Sequence, residues 1–205
     1  MPLWGTAHAA ATNKPKFLPA DENSDYNRAD AYATQRGWVM QAGHPSSGNG
    51  NTSADPEILV AIGGLAGADA STGLRAPTVT SMRFVKGTTA TTDLTASNSA
   101  GRIRVEITWD EAVTVAGTPQ VVVANSNASG GGFGNYTLSY ISSGSTANRK
   151  LFEATSQSLG NTDVLTLGGA NITLNSGTIK DTASGTIDSS LVLSGLSAVA
   201  VTVAS

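Results

Sequence analysis

The chain has 205 residues, no cysteine, 13% charged residues and a formal net charge of −3 at pH 7. These values exclude a disulfide framework and a cysteine-ligated metal, and the lack of a basic block disfavours nucleic acid as a partner. No apolar run approaches the roughly 20 residues that a membrane-spanning helix needs, so we expect no membrane insertion. The abundance of Ser, Thr, Gly, Ala and Asn is typical of a turn-rich β protein.

Residues 1–75 are predicted to form an N-terminal arm that includes a β-hairpin. Lys14–Pro19 is expected to be extended, because a residue that precedes proline disfavours the helical region. Asn23–Ala33 is predicted to form a short helical turn with a polar cap. Gly37–Gln41 and Glu57–Ile62 are predicted strands, joined by a loop rich in Gly, Ser and Asn. A lone hairpin is marginally stable in water, so the arm needs a partner surface: the rest of the chain, another copy or a different protein.

Residues 76–205 are predicted to form a second, strand-rich domain. In Arg102–Trp109 apolar and polar residues alternate strictly, which is typical of a strand with one buried face, and Trp109 is expected in the core. Clusters of Gly, Asn, Ser and Asp separate the other predicted strands at intervals expected of a β-sandwich. These strands are Thr78–Val85, Gln120–Ala124, Asn135–Ile141, Lys150–Ala154, Val164–Leu167 with Ile172–Leu174, Leu191–Leu193 and Val199–Val203.

Three stretches of this domain carry a family resemblance. They are Val105–Pro119 (VEITWDEAVTVAGTP), Tyr136–Gly144 (YTLSYISSG) and Gly177–Ala183 (GTIKDTA). They resemble the immunoglobulin-like repeats of bacterial and phage surface adhesins. The resemblance implies an all-β fold in which an immunoglobulin-like β-sandwich follows the N-terminal arm and hairpin. Such repeats normally occur in tandem, whereas this chain contains one copy.

The arm carries a second resemblance, in Met1–Gly5 (MPLWG), Arg36–Val39 (RGWV) and Glu57–Gly63 (EILVAIG). These motifs are similar to those of short virion structural proteins from contractile-tailed phages of marine cyanobacteria. One immunoglobulin-like module on an anchoring segment is also similar to what phage capsid decoration proteins present. The resemblance implies a non-enzymatic decoration protein located in the virion, with the major capsid protein, neck or tail proteins and sister copies as partners.

Large apolar side chains of the arm are the predicted contacts to the particle, because buried aromatic and aliphatic groups supply most of the energy of docking. For Trp38 two interpretations stay open: it belongs to the core of the hairpin, or it anchors the arm in a partner pocket. The complete set of predicted arm contacts is Trp4, Phe17, Trp38, Ile58, Val60 and Ile62.

The residue inventory argues against catalysis. The chain has two histidines, His8 and His44, and both are expected to be exposed loop residues rather than members of a nucleophile–His–carboxylate set. Carboxylates at strand ends and turns can bind Ca²⁺, but here they are expected to be solvated turn residues. These carboxylates are Asp110, Glu111, Asp163 and Asp181. We therefore predict no enzyme activity, no metal and no cofactor.

Two alternatives to capsid decoration remain open. In the first, the protein is a structural component of the neck, tail or fibre base of the particle. In the other alternative it is a glycan-binding adhesion module that contacts the host surface through a loop containing Asn125, Asn127 and Phe133.

Overall fold

The computed structural model describes residues 30–44, 50–61, 76–86, 89–90, 93–95, 101–126, 134–157, 159–160 and 162–204. Within these ranges the chain is all-β, as predicted, and its strands are mostly antiparallel. None of these ranges contains a helix with the length and hydropathy to span a membrane. The strands are β1 (Ala31–Thr34), β2 (Gly37–Met40), β3 (Glu57–Ala61), β4 (Val79–Lys86), β5 (Thr89–Ala90), β6 (Asp93–Thr95), β7 (Gly101–Trp109), β8 (Val113–Ala116), β9 (Gln120–Asn125), β10 (Tyr136–Ile141), β11 (Arg149–Gln157), β12 (Val164–Leu167), β13 (Thr178–Asp181) and β14 (Val199–Ala204).

Most strands belong to one main sheet with the order β5-β4-β7-β11-β10-β9-β12-β14-β6. Neighbouring strands in this sheet are antiparallel, except for the parallel pair β14–β6. The strands from β4 to β14 curl until β14 contacts β4, so the sheet is nearly closed and barrel-like. Strands β8 and β13 form a separate antiparallel pair.

The core of the main sheet follows the alternation in β7. Ile103, Val105, Ile107 and Trp109 are all fully buried in it, which confirms the predicted inward face and the core position of Trp109. The Trp109 indole Nε1 donates a hydrogen bond of 3.2 Å to the Ser190 carbonyl oxygen, so its polar group is satisfied. The outward face of β7 is covered in part by other residues, since Glu106 on this face is only 6% exposed.

Sequence alternation predicted most strands of the main sheet but not all of its structure. Strands β8 and β13, which form the separate pair, were not predicted. Ile172–Leu174 and Leu191–Leu193 were predicted as strands, and this is wrong. Isolated hydrogen bonds, such as that from Ile172 N to Leu191 O at 3.0 Å, hold these segments instead of a ladder. Burial of Ile172 and Leu193 explains their apolar character without a strand.

The hairpin sheet, defined as β1, β2 and β3, has β2 in its centre. The antiparallel pairing of β2 with β3 confirms the predicted hairpin with a long tip. The helical turn predicted at Asn23–Ala33 is wrong for its last three residues, since Ala31–Thr34 is a strand, whereas Asp30 is in a 3-10 turn. The register Thr34↔Gly37 leaves a two-residue turn, so β1 and β2 form a tight hairpin whose cross-strand hydrogen bonds outweigh local helix propensity.

Close approach of two glycines fixes the β8–β13 pair. Gly117 has a φ of +73°, and a Cβ added there would lie 2.7 Å from Gly177 Cα. A Cβ at Gly177 would overlap the Ala116 carbonyl oxygen and lie 3.0 Å from the Leu174 carbonyl oxygen. The glycine that opens the GTIKDTA motif is therefore required by main-chain packing rather than by a ligand.

A Gly177→Ala substitution is expected to lower the free energy of unfolding by about 1–3 kcal/mol, because the two strands must move apart to admit the methyl group. Urea denaturation measures this loss. Gly195→Ala is the matched control, since a Cβ at Gly195 meets no atom within 4 Å. Equal stability of the two variants would contradict the packing argument.

Candidate functional site

The hairpin sheet joins the main sheet through the edge of β1. Ala33 N donates a hydrogen bond of 2.6 Å to the Asp110 carbonyl oxygen, and Ala33 forms an isolated parallel bridge with Glu111. A second link comes from Ala147 N, which donates to Gln41 Oε1 at 3.1 Å. The described part of the arm thus finds a partner surface on the same chain, one of the three possibilities that the sequence left open.

A series of buried charges crosses this junction. On the outward face of the main sheet, Glu106 Oε1 accepts from Arg83 Nε and from Arg149 Nη2, both at 2.9 Å. The other end of the Arg149 guanidinium pairs with Asp30 Oδ1, and Asp30 Oδ2 lies 2.9 Å from His44 Nε2. Arginine suits this position because its planar fork can bind two carboxylates at once.

Arg149 is the central member of this charge series. Burial alone would lower the pKa of Arg149, but the negative charges of Glu106 and Asp30, with their hydrogen bonds, outweigh burial and raise it. The Asp30 and Glu106 side chains are 3% and 7% exposed, so each depends on protein partners rather than on water. His44 was expected to be an exposed loop residue; its side chain is only 14% exposed and pairs with Asp30, so that expectation is wrong.

A small cavity of about 220 Å³ lies at the same junction. Its wall includes Thr146, whose hydroxyl is buried and has no hydrogen-bond partner. The lining residues come from both the arm and the β10–β11 turn. They are Asp30, Gln41, Ala42, Gly43, His44, Thr52, Thr146, Asn148 and Arg149.

Acidic side chains collect just after β7. Asp110, Glu111 and Asp181 are between 0% and 3% exposed, so the expectation of solvated turn carboxylates is wrong for them. Asp110 Oδ1 accepts from Thr78 N at 2.6 Å, and Asp181 accepts from the backbone of the turn that follows it. In the described residues no group of three or more His, Cys, Asp or Glu side chains is arranged to hold a metal ion.

Glu111 differs from its acidic neighbours because neither of its carboxyl oxygens has a hydrogen-bond partner. Burial first, and then the charges of Asp110 and Asp181, raises the pKa of Glu111 from 4.5 to about 9. At neutral pH the folded protein therefore keeps this carboxyl protonated, on the residue that forms the bridge between β1 and the main sheet.

Two further buried polar side chains, Lys150 and Asp163, do not belong to the charge series. The Lys150 ammonium donates to the Thr146 carbonyl oxygen at 2.5 Å, and burial lowers the pKa of Lys150 to about 8. Asp163, which was also expected to be solvated, is fully buried. Its Oδ2 accepts from Gly160 N at 2.9 Å and from Asn125 Nδ2 at 3.0 Å.

Asn125 was predicted to belong to a surface-binding loop. Its amide instead contacts Asp163 inside the fold, while Asn127 and Phe133 lie outside the described residues. Because Asn125 is the one described residue of the three, the predicted surface-binding loop stays a prediction.

Three of the six predicted arm contacts, Trp38, Ile58 and Val60, lie in the described residues. Trp38 is fully buried, which favours its interpretation as a core residue of the hairpin over an anchor in a partner pocket. Ile58 is 44% exposed and Val60 is half-buried. Trp4, Phe17 and Ile62 lie outside the described residues.

The junction itself was missed from the sequence. Glu106 was read only as part of the polar face of β7, and nothing in the sequence pairs Asp30 with Arg149, which lies 119 positions further along the chain. One available signal was the opposite charge of Arg83 and Glu106 on two predicted strands, because the antiparallel register of β4 and β7 sets these residues directly opposite each other.

Comparison of the chain with known proteins found no matching family model, no similar curated protein and no similar solved structure.

Proposed function

We propose that the chain is a non-enzymatic virion structural protein, a capsid decoration protein that attaches through its N-terminal arm and displays an immunoglobulin-like domain. The MPLWG, RGWV and EILVAIG motifs support the virion assignment through their resemblance to phage structural proteins. In this role the protein stabilises or decorates a particle by binding, and many symmetry-related copies make weak individual contacts durable.

The strand order of the main sheet supports the immunoglobulin-like part of the proposal. In immunoglobulin domains strands A, B, E and D form one sheet and strands C, F and G the other. The order β4-β7-β11-β10 matches the first set and β9-β12-β14 matches the second. Pairing of β10 with β9 joins the two sets, which accounts for the continuous curled sheet.

The observation that carries the proposal is the resemblance of the arm motifs, and the buried charge series at the junction bears on which part of the arm attaches. Because Arg149 pairs with both Asp30 and Glu106, the hairpin sheet is bound to the main sheet of the same chain. Trp38 is buried and is therefore not accessible to a partner. The attachment role therefore passes to residues 1–29, where Trp4 and Phe17 are the predicted apolar contacts. Residues from Asp30 onward then form the displayed part.

Deletion of residues 1–29 is expected to abolish incorporation into particles while preserving the displayed part, because Asp30 and β1 remain in place. Quantitative mass spectrometry of purified virions measures occupancy, and urea denaturation checks that the shortened chain is folded. Full-length Trp4→Ala and Phe17→Ala variants test the two predicted contacts separately. Unchanged occupancy of the shortened, folded chain would contradict the anchoring role.

The same measurement separates capsid decoration from the neck, tail or fibre-base alternative. A copy number comparable with that of the shell subunit supports decoration, whereas a copy number matching a single ring supports the alternative. The glycan-binding alternative receives no support from Asn125, since its amide is engaged by Asp163.

A further inference from the structure

Glu111 is a buried titratable group that the charge series does not use. It is 1% exposed, and neither of its carboxyl oxygens has a hydrogen-bond partner. Its acidic neighbours differ, since Asp110 accepts from Thr78 N and Asp181 accepts from two backbone amides of the turn that follows it. Glu111 therefore cannot ionise where it lies without leaving a buried charge that nothing compensates.

The arm lies directly against this carboxyl. Ala33 of β1 forms the isolated parallel bridge with Glu111, and bridged residues stand side by side in a sheet. On its other side Ala33 pairs with Trp38 of β2, so one alanine separates the positions of Glu111 and Trp38 across the strands. The Trp38 indole Nε1 is buried and has no hydrogen-bond partner either. The hairpin sheet thus contacts Glu111 without donating a hydrogen bond to it.

The charges on the main-sheet side oppose ionisation of Glu111. Burial raises its pKa, and Asp110 of the same turn and Asp181 of β13 raise it further, from 4.5 to about 9. Among the described residues no cation forms an ion pair with its carboxyl. The ordinary pKa returns when water reaches the carboxyl, which requires an element packed on Glu111 to move away.

The arm side supplies no compensating charge. Tyr32 is the one titratable residue of β1, and burial raises its pKa to about 12, so it is neutral at neutral pH. Asp30, immediately before β1, pairs with Arg149 and His44. The negative charge of Glu111 and the docked position of β1 therefore oppose each other.

Strand β1 is the element at this contact that can move away with the least disruption. It meets the end of β7 through the isolated bridge and the hydrogen bond from Ala33 N to the Asp110 carbonyl oxygen. Strand β7 itself belongs to continuous ladders with β4 and β11. Local opening of the hairpin sheet thus exposes Glu111 while these ladders remain intact.

We propose that Glu111 is a proton-dependent switch for the hairpin sheet, which stays docked on the main sheet while this carboxyl is protonated and is released when the proton passes to water. Docking retains a proton that the released form gives up, so docking weakens as the pH rises from 4.5 to about 9. Release exposes the buried residues of β1 and β2. The inference goes beyond the proposed function and holds whether or not the protein belongs to a virion.

Amide exchange of the full-length chain, measured by NMR and corrected for the intrinsic effect of pH, tests the switch, because the Ala33 amide donates the docking hydrogen bond. The opening constant of this amide is expected to rise at least about tenfold between about pH 6 and about pH 8, while the β7 amides stay protected. In Glu111→Gln the Ala33 opening constant is expected to change less than about twofold over this range. Equal profiles in the two proteins, or joint opening of Ala33 and β7, overturn the proposal.

His44 is the rival source of a pH effect, because histidine changes charge near neutral pH and His44 pairs with Asp30. His44→Gln is expected to keep the wild-type rise of the Ala33 opening constant. Glu111→Met, a second neutral side chain of similar length, is expected to abolish the rise as Glu111→Gln does. Glu57→Gln is the matched control at an exposed position and is expected to behave like wild type. A rise that disappears in His44→Gln and persists in the two Glu111 variants overturns the proposal.

Discussion

The free energy of unfolding of an Arg149→Met variant is expected to be about 3–5 kcal/mol lower than that of the wild type. The substitution keeps most of the aliphatic volume but removes the cation between Asp30 and Glu106. Each buried carboxylate then loses this cation, so Glu106 is left with its ion pair to Arg83 and Asp30 with its contact to His44. Because Asp30 belongs to the arm, the hairpin is also expected to open before the main sheet unfolds.

Urea denaturation measures the loss, and limited proteolysis within the hairpin reports its release. Arg36→Met is the control, since the Arg36–Asp55 pair is exposed and its removal is expected to change stability by no more than about 0.5 kcal/mol. Adding Asp30→Asn to Arg149→Met should recover part of the loss, because one buried charge is removed. If Arg149→Met is no less stable than Arg36→Met, the charge series does not hold the junction.

A Glu111→Gln variant is expected to be more stable than the wild type at neutral pH and nearly equal to it near pH 4.5. The pKa of Glu111 is about 9 in the folded protein against 4.5 for the ordinary side chain. Between these values the unfolded chain loses the proton and the folded chain keeps it, so wild-type stability falls as the pH rises. At about 1.4 kcal/mol per pH unit, the fall between pH 4.5 and 7 is about 3 kcal/mol.

The measurement is the unfolding free energy of both proteins at several pH values between 4.5 and 9. Glutamine has nearly the same shape but cannot ionise, so the difference between the two curves isolates the contribution of Glu111. Glu57→Gln is the matched control, because Glu57 is exposed and its removal should leave the pH dependence unchanged. Parallel curves for wild type and Glu111→Gln would show that the carboxyl is not held neutral in the fold.

Local patterns predicted the strands whose two faces differ in polarity. The alternation in Arg102–Trp109 placed Trp109 in the core correctly because one face of β7 packs inward along its whole length. The same alternation misjudged Glu106, since burial of an outward residue depends on which distant segment covers it. Asp30 shows the same limit: its role comes from a partner far along the chain.

Other parts of the fold depend on non-local pairing that local sequence does not encode. Ala31–Ala33 was assigned to a helical turn because its residues tolerate a helix, and it became a strand through its pairing with β2. The bulge at Leu59, where Val39 pairs with Ile58 and Trp38 pairs with Val60, also escaped prediction, because it depends on the register between β2 and β3. Glu111 was read as solvated, since a buried carboxyl without partners runs against the usual rule.

The contact of β14 with β4 has a consequence for how the protein reaches its native state. These strands lie at opposite ends of the domain, at Val79–Lys86 and Val199–Ala204, so the sheet cannot close until segments remote in sequence have met. Topologies dominated by such contacts fold on the millisecond-to-second timescale rather than in microseconds. During that interval the margins of β4 and β14 that later meet are still uncovered, and such open strand edges make a folding chain prone to aggregate.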